Sequence, residues 1–323
     1  MTPESAVTDW LLASGEPSVR YRWLRDVLDR PENDPEVAAA RKEIGRTGWA
    51  AELLKLQLPD GQWVSPGTSG DDLYRPKYAA SNWCLLALSE LGATRADPRV
   101  AKGAELLLEK ANAASFDGLG GAGSEVCFTG NCVRMMTRFG YWEDARVQRA
   151  LAWLISAQKN DGGWHCFPSE TGTLDAWEAL AAFATIPAKD RSGLLWSTID
   201  RGLEFFLERR LMDEGASPYG PWRRLHYPVH YYYDVLVGLE VVTSLGRGND
   251  PRLRPALDWL EAKRGPDGRW NLEALHPDVE NDDPYLLQGV RSPYFPLAFE
   301  YVGRPSRWVT LRALTVLRRA GRG

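Results

Sequence analysis

The feature that most constrains the fold is a turn motif that occurs three times along the chain. Its copies are Gln57-Leu-Pro-Asp-Gly-Gln-Trp63, Gln158-Lys-Asn-Asp-Gly-Gly-Trp164 and Arg264-Gly-Pro-Asp-Gly-Arg-Trp270. The three tryptophans lie 101 and 106 residues apart, and weaker copies of the turn lie between them at 114–119 and 213–222. The chain therefore carries a repeat of about 50 residues, a period typical of solenoids and closed arrays.

Each turn is flanked by two kinds of helical pattern. Amphipathic segments that precede turns open at Asp97, Asp144 and Asp250, where aspartate is a favoured N-cap. More apolar segments follow the turns at 78–91, 125–139, 173–183, 231–245 and 306–320, and one more helix is predicted at 19–28. A helix that is apolar nearly all round must be buried. The sequence predicts an all-α fold of five or six helix pairs, in two concentric layers if the repeat closes on itself. An open array of helical hairpins is the alternative.

Composition excludes several classes of protein. The 323 residues carry a net charge of −4, which argues against a non-specific nucleic-acid binder. No apolar run approaches the ~18 residues of a membrane span, and the first residues do not resemble a signal peptide. Four cysteines do not make a disulfide framework, so a reduced, cytoplasmic protein is expected. We predict one domain over 1–323, with a lead-in at 1–18 and a long loop at 271–303.

Turns of the form Gln-x-x-x-Asp-Gly-x-Trp between helix pairs resemble those of the terpenoid cyclase and protein prenyltransferase superfamily, which includes squalene–hopene cyclase-like proteins. The resemblance covers about 19–320. It implies an α6/α6 toroid whose inner helices line a cavity, and an isoprenoid substrate. Within the motif, Asp-Gly provides the tight bend, the glutamine can bond exposed backbone groups and the indole can stack on a helix end. These roles predict that Gln57, Trp63, Gln158, Trp164 and Trp270 are structural.

A candidate metal site combines Glu125-Val-Cys127 with His165-Cys166. Carboxylate, thiolate and imidazole groups are suitable zinc ligands. The resemblance implies zinc as well, because protein prenyltransferases hold it with an Asp-x-Cys pair and a histidine on the following inner helix. Glu125-x-Cys127 is similar to the first part, whereas Thr171-Gly-Thr173 stands at the histidine position, so His165 or Cys166 would have to substitute. The alternative is that the cysteines are small packing residues.

Two groups of acids are candidates for catalysis. Class II cyclases of the superfamily protonate an alkene with an Asp-x-Asp-Asp motif, and Glu280-Asn-Asp-Asp283 is a weak match, which gives Asp282 and Asp283 as candidates. The alternative is a solvated acidic loop. His230 and Asp234 are spaced i,i+4 and are predicted to form a proton-transfer pair on one helix face, the alternative being a helix-start contact.

Helix N-termini that converge at one mouth of a toroid favour an anion there. The predicted substrate-binding residues near such termini are Arg75, Lys77, Tyr232, Arg307, Trp308 and Arg312. The leading hypothesis is a prenyltransferase-like or terpene-cyclase-like enzyme acting on an isoprenoid or its diphosphate. A non-catalytic lipid- or peptide-binding protein and a polysaccharide-degrading enzyme are the alternatives. The need for a partner subunit, which protein prenyltransferases have, is left open.

Overall fold

The computed structural model describes residues 3–13, 15–63, 73–74, 77–112, 125–213, 220–275, 286–287, 290–291 and 297–322. Most of these residues are α-helical, as predicted. No helix in this part of the chain is long and apolar enough to cross a membrane. The chain divides into two compact units. Unit 1 consists of Met1–Lys110, His226–His230 and Arg264–Leu311, and unit 2 consists of Ala111–Leu225, Tyr231–Lys263 and Arg312–Gly323.

Unit 1 contains the first helices of the chain. They are α1 (Pro3–Leu12), α2 (Pro17–Arg22), a π-helical segment (Trp23–Val27), α3 (Pro35–Glu43), α4 (Gly48–Lys55), α5 (Ser81–Glu90) and most of α6 (Pro98–Asn112). Helix α5 is buried over its whole length, as the apolar pattern at 78–91 predicts. The predicted lead-in at 1–18 instead contains α1, which buries Val7 and Leu11.

Unit 2 contains α7 (Val126–Phe139), α8 (Ala145–Ser156), α9 (Glu178–Thr185), α10 (Gly193–Glu208), α11 (Val235–Ser244) and α12 (Arg254–Ala262). Three 3-10 segments lie between or before them, at Ala188–Asp190, Gly220–Arg223 and Pro251–Leu253. The last helix, α13 (Arg307–Arg319), contributes residues to both units. Helix α7 packs against α8 and α9, and α9 also contacts α10 and α11.

The predicted aspartate caps are present. The Asp144 carboxylate accepts the backbone N–H of Arg146 at 2.8 Å, and Asp250 accepts that of Arg252 at 2.9 Å. Helix α9 begins five residues later than the predicted 173. Thr173 forms an isolated β-bridge with Trp164, which holds the chain extended there.

The first repeat turn ties three parts of unit 1 together. The Gln57 side-chain amide donates to the carbonyl oxygens of Gly61 at 3.0 Å and Arg99 at 2.9 Å. The indole N–H of Trp63 donates to the carbonyl of Leu53 at 2.8 Å. One turn therefore bonds its own loop, the end of α4 and the start of α6, which is the structural role that the motif predicts.

The second turn repeats these contacts in unit 2. The Gln158 amide donates to the carbonyls of Gly162 and Thr198, both at 2.8 Å, and the Trp164 indole donates to Leu154, also at 2.8 Å. In the third turn Arg264 takes the glutamine position. Its guanidinium lies 5.3 Å from the centre of the Trp270 ring and donates to Gly268 at 3.3 Å.

The segment predicted as a long loop at 271–303 contains short extended pieces in its described part. Asn271 forms a β-bridge with Pro305, and Ala274 forms one with His226. Two antiparallel strands, β1 (Leu286–Leu287) and β2 (Val290–Arg291), lie further along. Asp282 and Asp283 lie outside the described residues, so their predicted role remains a prediction.

Replacing Gln57 with alanine removes a donor shared by two backbone carbonyls. Leaving buried acceptors unpaired costs roughly 1–3 kcal/mol, so we expect Gln57→Ala to lower the free energy of unfolding by about that amount. Gln62→Ala in the same turn is the control, and should change stability by less than about 0.5 kcal/mol. Chemical denaturation of both variants measures the difference. Equal effects would contradict the bonding role of Gln57.

Candidate functional site

The most unusual side chain in the described residues is the Glu178 carboxyl. Glu178 is the first residue of α9 and is fully buried, with an exposed fraction of 0%. Neither of its carboxyl oxygens accepts a hydrogen bond from another described residue. The buried carboxylates of Glu16 and Glu300 differ from it, because each accepts backbone N–H bonds. A buried carboxylate without donors is costly, so Glu178 favours its neutral form.

The electrostatics of the site favour the same form. Burial raises the pKa of Glu178 well above its usual value of 4.5. The neighbouring Cys127 thiol and the Asp175 carboxylate raise the pKa further, while the Arg134 guanidinium lowers it. Desolvation is the largest of these effects. Unit 2 therefore contains a carboxylic acid that keeps its proton well above the pH at which an exposed glutamate loses it.

A glycine on α7 allows the backbone of Glu178 to come this close. A Cβ atom placed on Gly130 would lie 2.7 Å from both the Cβ and the carbonyl carbon of Glu178. Only a residue without a side chain fits between α7 and α9 at this point. The acid is therefore held between two packed helices and not on a loop.

Helix α7 carries polar residues at helical spacing beside Gly130. Cys127, Asn131, Arg134 and Arg138 recur at intervals of three or four residues, so they share one face. Asn131 and Arg134 are 3% and 4% exposed. The Arg134 guanidinium lies 4.8 Å from the centre of the Trp177 ring, next in sequence to Glu178. A buried cation thus accompanies the buried acid.

The predicted metal ligands come together only in part. The backbone N–H of Cys127 donates to the Cys166 sulfur at 3.3 Å, and the Cys127 thiol contacts Glu125 Oε2 at 3.8 Å. His165 uses Nδ1 to accept the N–H of Phe167 at 3.0 Å. No three His, Cys, Asp or Glu side chains of the described residues are grouped so as to hold a metal ion. Zinc binding by these residues therefore stays a prediction, and we derive no step through it.

The predicted His230–Asp234 helix face does not form. Helix α11 begins at Val235, and His230 precedes it with a left-handed φ of 47°, so the two residues are not one helical turn apart. Asp234 instead caps α11, accepting the N–H of Val237 at 2.7 Å. In unit 1, the His230 ring lies 5.3 Å from the Tyr78 ring and 5.2 Å from the Trp83 ring. Asp234 is thus the N-cap of α11, and a role of the two residues in proton transfer stays a prediction.

The predicted substrate-binding arginines have partners within the chain. In unit 2, Arg312 forms an ion pair of 2.6 Å with Glu240 on α11. In unit 1, the backbone N–H groups of Arg307 and Trp308 donate to the Glu300 carboxylate at 2.6 and 3.3 Å. These contacts hold the start and the middle of α13, and substrate binding by these residues stays a prediction.

The remaining predicted binding residues lie in different places. Lys77 is half-buried just before α5 in unit 1, and Tyr232 is 8% exposed in unit 2. Arg75 lies outside the described residues. Sequence reasoning missed Glu178 and Arg134. The available signal was a single acid in the otherwise apolar run Ala176–Ala184, and an arginine in the middle of α7 between the apolar residues Val133 and Met135.

Comparisons with known proteins show similarity of fold. No protein-family model and no curated protein sequence matches the chain. A glycosyl hydrolase family 88 protein from Bacteroides vulgatus has a TM-score of 0.50 at 12% identity, over 100% of each chain. A polysaccharide lyase has a TM-score of 0.48 at 13% identity, over 99% of this chain and 98% of the other. A type II terpene cyclase from Scytonema, in complex with geranylgeranyl dihydroxybenzoate, has a TM-score of 0.32 at 13% identity, over 84% of this chain and 95% of the other. These neighbours have α/α-toroid folds.

The close approach at Gly130 gives a prediction about packing. Gly130→Ala forces α7 and α9 apart, and overpacking of this kind costs about 1–3 kcal/mol. Gly193 at the start of α10 is a matched control, because a Cβ there has no atom within 4 Å. We expect Gly193→Ala to leave stability unchanged or raise it. Thermal unfolding of both variants measures the difference in stability. A Gly130→Ala protein as stable as the wild type would show that α7 and α9 can separate without cost.

The raised pKa of Glu178 predicts how stability depends on pH. Above about pH 4.5 the folded protein retains a proton that the unfolded chain releases, so this group's contribution to stability falls as pH rises, by at most about 1.4 kcal/mol per unit. Glu178→Gln removes this dependence. The melting temperature of the variant minus that of wild type should rise as the pH increases above about 4.5. A difference that does not change with pH would contradict a buried neutral acid. The surface variant Glu208→Gln should show no such trend.

The zinc prediction is tested by the metal content of protein purified without chelator. If Glu125, Cys127, His165 and Cys166 hold zinc, the native chain contains it stoichiometrically, and the Cys127→Ala, Cys166→Ala double variant loses it. Native protein free of zinc would end this interpretation.

Proposed function

We propose that this chain is an α/α-toroid enzyme that starts the reaction of an isoprenoid substrate by proton transfer from the Glu178 carboxylic acid. The observation that supports the proposal is the fully buried Glu178 carboxyl without hydrogen-bond donors from other described residues. An acid kept neutral at working pH is what protonation of a weak base such as an alkene requires.

The surroundings of Glu178 suit both halves of a proton transfer. Before transfer, desolvation holds the proton on the carboxyl group. After transfer the carboxylate is charged and still buried, and the Arg134 guanidinium acts on it favourably. The acid is restored when the product cation or a water molecule returns a proton. In this proposal Glu178 is the proton donor and Arg134 is a positioning residue that balances the charge of its conjugate base.

The isoprenoid substrate is supported by the repeat turns and by the apolar character of the site. The turns resemble those of the terpenoid cyclase and prenyltransferase superfamily. Helix α9 is otherwise apolar after its first residue, and Trp177 precedes the acid. Aromatic and apolar walls stabilise carbocations and exclude the water that would quench them.

A second candidate is a polysaccharide-degrading enzyme, and one observation favours it. Asp175 is exposed, lies three residues before Glu178 and raises the pKa of that acid. Two carboxyl groups in unlike environments, one neutral and one ionised, are typical of glycoside hydrolysis. In that mechanism both acids are essential. In alkene protonation Asp175 is dispensable.

The deciding experiment offers the purified protein linear isoprenoid alcohols and diphosphates in deuterium oxide. If Glu178 starts the reaction, the cyclic or isomerised product carries one deuterium at the protonated carbon. Glu178→Gln should lower the rate by about 10²–10⁴-fold, because general acid catalysis typically contributes that much. The exposed Glu208→Gln variant is the control and should retain the wild-type rate.

Two further outcomes separate the candidates. Turnover of polysaccharides or oligosaccharides, lost in both Glu178→Gln and Asp175→Asn, would replace the isoprenoid substrate with a carbohydrate. Isoprenoid turnover that survives in Glu178→Gln would remove Glu178 from the mechanism.

A further inference from the structure

Two half-buried cysteines meet at the start of α7 in unit 2. Cys127 is the second residue of that helix, and Cys166 follows the second repeat turn. The backbone N–H of Cys127 donates to the Cys166 sulfur at 3.3 Å. The two thiol groups also interact directly. These sulfurs come from segments 39 residues apart in sequence.

The repeat turn keeps Cys166 in this place. Trp164, two residues earlier, is fully buried, and its indole is bonded to Leu154. The backbone N–H of Thr173 donates to the Trp164 carbonyl at 2.8 Å, so the loop is fixed on both sides of Cys166. The meeting of the two sulfurs is therefore set by the scaffold and does not depend on a bound ligand.

The other two cysteines of the chain differ from this pair. Cys84 and Cys132 are 2% and 1% exposed, and burial alone raises the pKa of each thiol. Cys84 donates its S–H to the carbonyl of Ala79 at 3.3 Å. Thiolates are the reactive form of cysteine, and buried apolar sites disfavour them. The chain thus contains an accessible pair of thiols and two shielded ones.

We propose that Cys127 and Cys166 are a reversible oxidation site that forms a disulfide on contact with a peroxide. The Cys166 thiolate attacks one oxygen of hydrogen peroxide, which gives a sulfenic acid and releases hydroxide. The Cys127 sulfur then attacks the sulfenic sulfur, the S–S bond forms, and the departing hydroxide takes the Cys127 proton as water. In balance, two thiols and one peroxide give one disulfide and two waters, with the sulfurs oxidised and the peroxide reduced.

The arrangement suits both steps. The Cys166 sulfur receives a backbone N–H from the first turn of α7, where helix amides have no partner inside the helix. Cys127 is held against it as a resolving thiol, which protects the sulfenic acid from further oxidation. This inference rests on the contacts of the two sulfurs and not on the function proposed for Glu178.

The test treats the full, reduced chain, first incubated with a chelator, with hydrogen peroxide, and then alkylates the remaining thiols under denaturing conditions. We expect the intact mass to show two alkyl groups and the loss of two hydrogens, and peptide mapping to find Cys127 linked to Cys166 with Cys84 and Cys132 alkylated. Treatment with a dithiol reductant before alkylation should instead give a chain with four alkylated cysteines.

The single variants Cys127→Ser and Cys166→Ser give the control within the pair. Cys127→Ser should acquire sulfenic or sulfinic acid at Cys166, because no resolving thiol is present, and Cys166→Ser should be oxidised at least ten times more slowly at Cys127 (about 1.4 kcal/mol in activation free energy). Sulfinic acid on wild-type Cys166 without a disulfide, or a disulfide between two chains, would overturn the proposal. These measurements need no substrate, so their failure is distinguishable from failure of the Glu178 proposal.

Discussion

The hydrogen bond between a turn tryptophan and the end of the preceding helix is the contact on which the arrangement of the helices depends. Trp63 bonds Leu53 and Trp164 bonds Leu154 with the same geometry, both at 2.8 Å. The last carbonyls of a helix have no partner within it, and a buried one left unbonded costs about 1–3 kcal/mol. The Trp164 indole satisfies such a carbonyl at Leu154, whereas the Leu53 carbonyl accepts the N–H of Leu56 at 3.2 Å as well as the Trp63 indole. Each repeat therefore fixes where its helix ends and where the chain goes next.

Helices held in this way bury their apolar faces completely, and this gives Glu178 its chemistry. The start of a helix normally favours a negative charge, and the neighbouring Arg134 favours it too. Both effects act against the neutral acid. Desolvation by burial has the largest effect on the pKa of Glu178, and it raises that pKa. The same residue on an exposed turn would be an ordinary carboxylate at a helix start.

Features set by local interactions were predictable from the sequence. The predicted segment 144–155 corresponds to α8, because the Asp144 cap and the helical spacing act within a few residues. The start of α9 was not predictable, because it depends on the bridge between Trp164 and Thr173. The helix face predicted for His230 and Asp234 does not form, because the backbone at His230 takes a left-handed conformation that the i,i+4 spacing does not reveal.

The candidate site also combines features that were predictable from the sequence with features that were not. A lone acid in an apolar segment is visible in the sequence, and Glu178 carried that signal. That its oxygens lack donors depends on the close approach of α7 and α9 at Gly130, which only the three-dimensional packing reveals. The approach of Cys127 to Cys166 was expected from the repeat, since Cys127 lies at the start of α7 and Cys166 follows the next repeat turn. The group of three or more ligands that a metal needs is absent from the described residues.

Cys127 belongs to the thiol pair and also acts on the Glu178 carboxyl, but the two groups lose their protons in different ranges of pH. A negative charge on Cys127 raises the pKa of Glu178. The pKa of Cys127 is itself raised well above its ordinary value, so this charge forms only in alkaline solution. Burial is the largest cause of the raised pKa of Glu178, so the carboxyl favours its neutral form with or without a reduced thiol beside it. Oxidation of the thiols leaves this burial in place, and we expect the disulfide to affect turnover mainly through the position of the His165–Phe167 segment.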